Sequence, residues 1–141
     1  LNFLSSFHRL IEDPRFEGDS MRKKMLVVED DFLIRQLLKD FFEENGFEVV
    51  PVEDASGALI EIMHNDFDIV ISDYQLPDSF GPLLTKRIKK LKPLTPVIGI
   101  SAFYCKQVFM QAGADDFFEK PFRLSTLKAS VEYLTKDRET Q

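Results

Sequence analysis

From Lys24 onward the chain alternates between short runs of apolar residues and longer stretches in which apolar residues return every three or four positions. The runs read as strands and the spaced stretches as helices. Met25 to Val28 is an uninterrupted apolar run; Ile34, Leu37, Leu38, Phe41 and Phe42 then share one helical face until Asn45-Gly46 stops it. Phe47 to Val52 reads as a second strand, followed by a helix with Ala58, Leu59, Ile62 and Met63 inward. A third strand, Ile69-Val70-Ile71, ends at Asp73, and Gly81-Pro82 opens a helix that turns Leu84, Ile88 and Leu91 inward, with Pro82 expected at its first position. Val97 to Ile100 makes a fourth strand, Cys105 to Gln111 a weak helix and Phe117-Phe118 a short fifth strand. Leu124, Leu127, Val131 and Leu134 line a final helix starting near Ser125.

Five strand and helix pairs whose strands are apolar throughout imply a parallel sheet covered on both faces. Right-handed crossovers wind it doubly, and the flavodoxin-like order 2-1-3-4-5 places the Pro51 strand at an edge, where a missing N–H is tolerated. Ligands of such sheets bind beyond the carboxyl ends of the strands, at the switch point between strands 1 and 3. The first twenty residues differ: Phe3, Leu4, Phe7, Leu10 and Ile11 fit a short amphipathic helix that Asp13-Pro14 interrupts. We read 1–20 as an extension or linker, 21–136 as the folded domain and 137–141 as a tail.

Composition narrows the classes. A chain of 141 residues with 44% hydrophobic residues and 14 Phe is long enough for one well-filled core. Acidic residues outnumber basic ones by 24 to 18, so direct nucleic-acid binding is disfavoured despite Lys86, Arg87, Lys89 and Lys90 on one helix. A single cysteine, Cys105, and two isolated histidines, His8 and His64, offer neither an internal disulfide nor metal-ligand spacing. With no membrane-length apolar run and no cleavable leader pattern, a cytoplasmic protein without membrane contact is expected.

The chemistry lies at the strand ends. Glu29-Asp30-Asp31 follows strand 1 and Asp73 closes strand 3, so carboxylates converge where the fold binds ligands. Crowded like charges call for a cation, and a small carboxylate site suits magnesium. Asp31 also suits a helix cap, leaving Asp30 for the crevice. Strand 4 ends in Ser101-Ala102 and strand 5 is followed by Lys120-Pro121-Phe122, bringing a hydroxyl and an ammonium to the same end, with a cis peptide expected at Pro121. Carboxylate, metal, hydroxyl and ammonium together fit phosphoryl transfer to an aspartate.

Over Lys24 to Lys136 the chain resembles the receiver domains of two-component response regulators. The residues that carry the resemblance are Leu26-Val27-Val28-Glu29-Asp30-Asp31, Ile71-Ser72-Asp73 with Leu76-Pro77 and Gly81, Ile100-Ser101-Ala102, Gly113-Ala114-Asp115-Asp116 and Lys120-Pro121-Phe122. It implies Asp73 as phosphoacceptor, and a magnesium site of Glu29, Asp30, Asp73 and the Gln75 main-chain carbonyl, with Asp30 favoured as direct ligand. Ser101 and Lys120 would hold phosphoryl oxygens, and Phe117 would be the aromatic switch residue, its ring turning inward as the serine moves. It also implies a sensor histidine kinase or phosphotransfer protein as donor, a downstream partner or output domain outside this chain, and catalysis limited to the domain's own phosphorylation and dephosphorylation.

Three departures stand out. Leu76 replaces a commoner Met, Phe117 a commoner Tyr, and the stretch from Ser101 to Gly113 is shorter than usual by about one helical turn. A truncated fourth helix, or a truncated loop before it, is expected. Phe103, two residues past Ser101, should hinder the water that removes the phosphoryl group. The alternatives are a degenerate receiver working by contacts alone and a magnesium-dependent phosphohydrolase; the second lacks an acid at Gln75, two residues past Asp73. Flavin binding would want Gly, Ser and Thr where this chain has acids.

Overall fold

The computed structural model describes residues 22–136. The expected extension at 1–20 and tail at 137–141 lie outside the described residues. In chain order the elements are β1 (Lys23–Val28), α1 (Phe32–Glu44), β2 (Phe47–Val52), α2 (Ala55–His64), β3 (Ile69–Asp73), α3 (Gly81–Leu91), β4 (Val97–Ser101), α4 (Lys106–Gln111), β5 (Asp116–Glu119) and α5 (Leu124–Leu134). The five strands form one parallel sheet in the order 2-1-3-4-5, as the apolar runs and the crossover rule predict. Pro51 lies on the edge strand opposite Val27.

Successive residues of each strand point to opposite faces, and each face meets its own helices. Met25, Val27, Ile69, Ile71, Ile98 and Ile100 pack against Leu38 and Phe42 of α1 and Leu127 and Val131 of α5. Leu26, Val28, Val70 and Val97 pack on the other face against Ala58 and Ile62 of α2 and Leu84 and Ile88 of α3. The truly buried helix stripe is narrower than the pattern suggested. Leu37, Met63 and Leu91 were expected inward and are largely exposed. Leu37 and Met63 sit about a quarter turn or more away from the i, i+4 pair that makes the sheet contact (Leu38 and Phe42, Ala58 and Ile62), whereas Leu91 shares the face of Leu84 and Ile88 but is the last residue of its helix.

Two local expectations are also corrected or sharpened. Helix α3 opens at Gly81 itself, one residue ahead of Pro82, and Gly81 must lack a Cβ, since one built there would overlap the Asp73 carbonyl oxygen. Helix α4 has only six residues and is held by Phe109, which is fully buried with Ala114 and Phe117. The Lys120-Pro121 peptide is cis, as the strand-Lys-Pro context suggested.

Candidate functional site

Parallel register carries the ends of β1 and β3 to the same level, with Val28 opposite Ser72, so the residues that follow them meet in one crevice. Glu29 and Asp73 are buried and Asp30 is exposed at the mouth. Each of the three offers a carboxylate oxygen, all within 4.8 Å of one another. Lys120 reaches across from the loop after β5, its Nζ 2.6 Å from Glu29 Oε1 and 3.2 Å from Asp73 Oδ1. Four of the residues expected at the site therefore come together.

The surrounding backbone holds these groups in place. Glu29 N–H donates to the Val52 carbonyl, and Glu29 Oε2 accepts from Asp31 N–H at 3.1 Å. Asp31 caps α1, its Oδ1 accepting from the Leu33 and Ile34 amides, as its position after strand 1 predicted. Arg35, which sequence reasoning passed over, donates from Nη1 to the carbonyls of Glu29 at 2.7 Å and Asp30 at 3.2 Å. Nothing in the sequence distinguishes it from any cation one turn into a helix. Tyr74 N–H donates to the Ile100 carbonyl and Gly81 N–H to the Tyr74 carbonyl, which fixes the chain just past Asp73.

The other expected residues stand nearby in different roles. Ser101 is buried, and its Oγ accepts from Phe103 N–H at 2.9 Å, while its carbonyl takes the Lys120 amide at 2.7 Å. Gln75 is exposed and pairs across the β3–α3 loop with Phe80. Phe117 is set back from the carboxylates, its ring already inward, 5.8 Å from the Phe109 ring and 6.3 Å from that of Tyr104.

Burial and charge shift two of these groups. Burial pushes the Glu29 carboxyl up to about 7; the Lys120 hydrogen bond opposes this and the Asp73 charge adds to it. Burial alone would lower the Lys120 ammonium, but the Glu29 hydrogen bond and the Glu29 and Asp73 charges outweigh it, so it is held above its ordinary value. Three carboxylates against one ammonium leave two negative charges in excess. Oxygen ligands in that number and charge fit a hard divalent cation, and the raised Glu29 shows how the site otherwise keeps a proton.

The response regulator receiver domain model matches residues 25–132. The chain belongs to the receiver domain family. This receiver is 33% identical over 121 residues to the transcriptional regulatory protein CrdR of Helicobacter pylori, covering 83% of this chain and 57% of CrdR. It is 34% identical over 129 residues to the sensor histidine kinase RcsC of Salmonella typhimurium, covering 88% of this chain and 14% of RcsC. The chain thus spans little more than half of one curated relative and a small part of the other. Among solved structures, the Francisella response regulator 1452 receiver domain matches with TM-score 0.78 at 35% identity, covering 85% of this chain and 100% of that one. The Thermotoga maritima response regulator TrrA, solved in complex with Mg(2+)-BeF, matches with TM-score 0.74 at 32% identity, covering 79% and 98%. Receivers work with histidine kinases and output domains. No helix among the described residues is long and apolar enough to cross a membrane.

Proposed function

We propose that this receiver accepts a phosphoryl group on Asp73 from a sensor histidine kinase or phosphotransfer protein, with magnesium held by Glu29, Asp30, Asp73 and the Gln75 main-chain carbonyl. The observation that carries the reading is the convergence of three carboxylates and Lys120 at the ends of β1 and β3. That a receiver of the same fold was solved with Mg(2+)-BeF supports it. Bound magnesium supplies positive charge and oxygen ligation to the phosphoryl oxygens in flight. Asp73 contributes a carboxylate oxygen that forms the new O–P bond as the N–P bond of the donor phosphohistidine breaks, the imidazole nitrogen keeping the electron pair. Lys120, already 3.2 Å from Asp73, is placed to pair with a phosphoryl oxygen. The Ser101 hydroxyl has its proton free to donate, since towards Phe103 it acts only as acceptor.

Movement of Ser101 towards the phosphoryl group breaks its bond to the Phe103 amide and frees the loop from Ala102 to Cys105. Because the Phe117 ring is inward from the start, this loop, with Phe103 and Tyr104 exposed, and the short α4 behind it present the changed surface. The donor meets the face beside Lys120, where Ile34, Leu37, Pro121, Phe122 and Leu124 line an apolar groove of about 340 Å³. The domain catalyses only its own transfer and loss of the group. Gln75 supplies no acid for a phosphohydrolase cycle, and the single Cys105 is in keeping with a cytoplasmic setting.

Intact-protein mass after incubation with acetyl phosphate tests the reading. One phosphoryl adduct that requires magnesium and is absent from Asp73→Asn is expected. An adduct on that variant, or none on the folded wild type while donor is also left unconsumed, overturns it.

A further inference from the structure

The loop that carries Gln75 is tied to a helix from which it is distant in sequence. Asp78, at its tip, accepts from three donors at the start of α2: Ala55 N–H to Oδ1 at 2.9 Å, Ser56 N–H to Oδ2 at 2.9 Å and Ser56 Oγ to Oδ2 at 2.7 Å. The helix has its own cap in Asp54, but Asp54 Oδ1 takes only Gly57 N–H, at 2.7 Å. The first two amides of α2 have no acceptor within the helix. They are given to a carboxylate from another element.

Below the tip the loop closes like a small hairpin. Leu76 N–H donates to the Ser79 carbonyl, Gln75 pairs with Phe80, and Gly81 N–H donates to the Tyr74 carbonyl. Its base is fastened to β4 by Tyr74 N–H on Ile100 O. Gln75 therefore lies on a short span fastened to the sheet at its base, packed into the core through the buried Leu76, and tied to α2 at its tip by Asp78. Asp78 itself is exposed and touches none of Glu29, Asp30 or Asp73 through a hydrogen bond.

We infer that Asp78 is a positioning residue for the magnesium site: by docking the β3–α3 loop on the N-terminus of α2, it fixes where the Gln75 carbonyl points. The inference rests on the magnesium reading above.

Magnesium titration by calorimetry, together with amide exchange on the full chain, tests this with three variants. Asp78→Ala should weaken magnesium binding by roughly tenfold, as loss of an outer-shell partner does. Asp78→Asn, which keeps one acceptor oxygen, should fall between. Asp54→Ala removes the helix's other cap, whose side chain bonds within α2 to Gly57 N–H and makes no hydrogen bond to the loop, so it should lower thermal stability yet leave magnesium affinity near the wild-type value. Without metal, exchange of the Leu76 amide should accelerate in Asp78→Ala and not in Asp54→Ala. Equal loss of affinity in Asp54→Ala and Asp78→Ala, or unchanged Leu76 exchange in Asp78→Ala, overturns the inference. Failure of the wild type to bind magnesium would instead overturn the metal reading, and the exchange comparison would still decide the loop.

Discussion

At Glu29, burial and charge pull against each other. Its carboxyl is pushed up to about 7 from an ordinary 4.5, first by burial. The folded chain therefore keeps a proton there that the unfolded chain releases, and the stability Glu29 contributes is full below about 4.5 and is lost as the pH rises through about 7. In chelator, the thermal midpoint of the wild type minus that of Glu29→Gln should fall steadily across that window. A difference independent of pH would contradict the assignment. Magnesium must displace the same proton, so its affinity should weaken as the pH drops below about 7. Phe103 makes a second residue-scale prediction: Phe103→Ala should shorten the life of the phosphoryl adduct severalfold, timed by phosphate release, and an unchanged lifetime would remove its role as a barrier to water. The carboxylates and Lys120 were legible because strand ends can be read from apolar runs. Arg35 and Asp78 were not, since one donates only to main-chain carbonyls and the other reaches across to α2.

Among the elements, α4 is the one that local pattern specified least. Six residues cannot hold a helix by themselves, and its place depends on Phe109 entering a slot between β4 and α3. A Cβ at Gly99 would lie 2.5 Å from Phe109 Cγ, and one at Gly81 would lie 2.6 Å from Phe109 Cζ, so two glycines make the slot. Phe109→Ala should cost about 3–5 kcal/mol in denaturant unfolding. Gly99→Ala should cost about 1–3 kcal/mol by overpacking. Combined, the two should cost clearly less than their sum, because the ring that clashes has gone; strict additivity would show that the slot is not where the strain arises. The long helices and the strands read well because each buries an i, i+4 pair or a continuous run. Leu37, Met63 and Leu91 misled because an apolar residue at a helix flank or end satisfies the same spacing without reaching the sheet.

For the molecule as a whole, alternation and handedness determine the strand order, and the order places the site. Leaving Leu37 exposed has a use at this scale, since it lines the groove beside Lys120. Leu37→Asp should slow phosphoryl transfer from a histidine-kinase donor by at least about tenfold, as loss of a buried interface anchor does, while transfer from acetyl phosphate stays unchanged. Equal slowing with both donors would place the defect in the site and not in docking. Borohydride reduction of the phosphorylated protein followed by peptide mapping decides whether Asp73 carries the phosphoryl group. An acyl phosphate on aspartate is reduced to homoserine. Homoserine is expected at position 73, formed only when magnesium was present during phosphorylation. Reduction at Asp30 or Glu29, or a phosphorylated protein that yields no reduced residue at all, would contradict it.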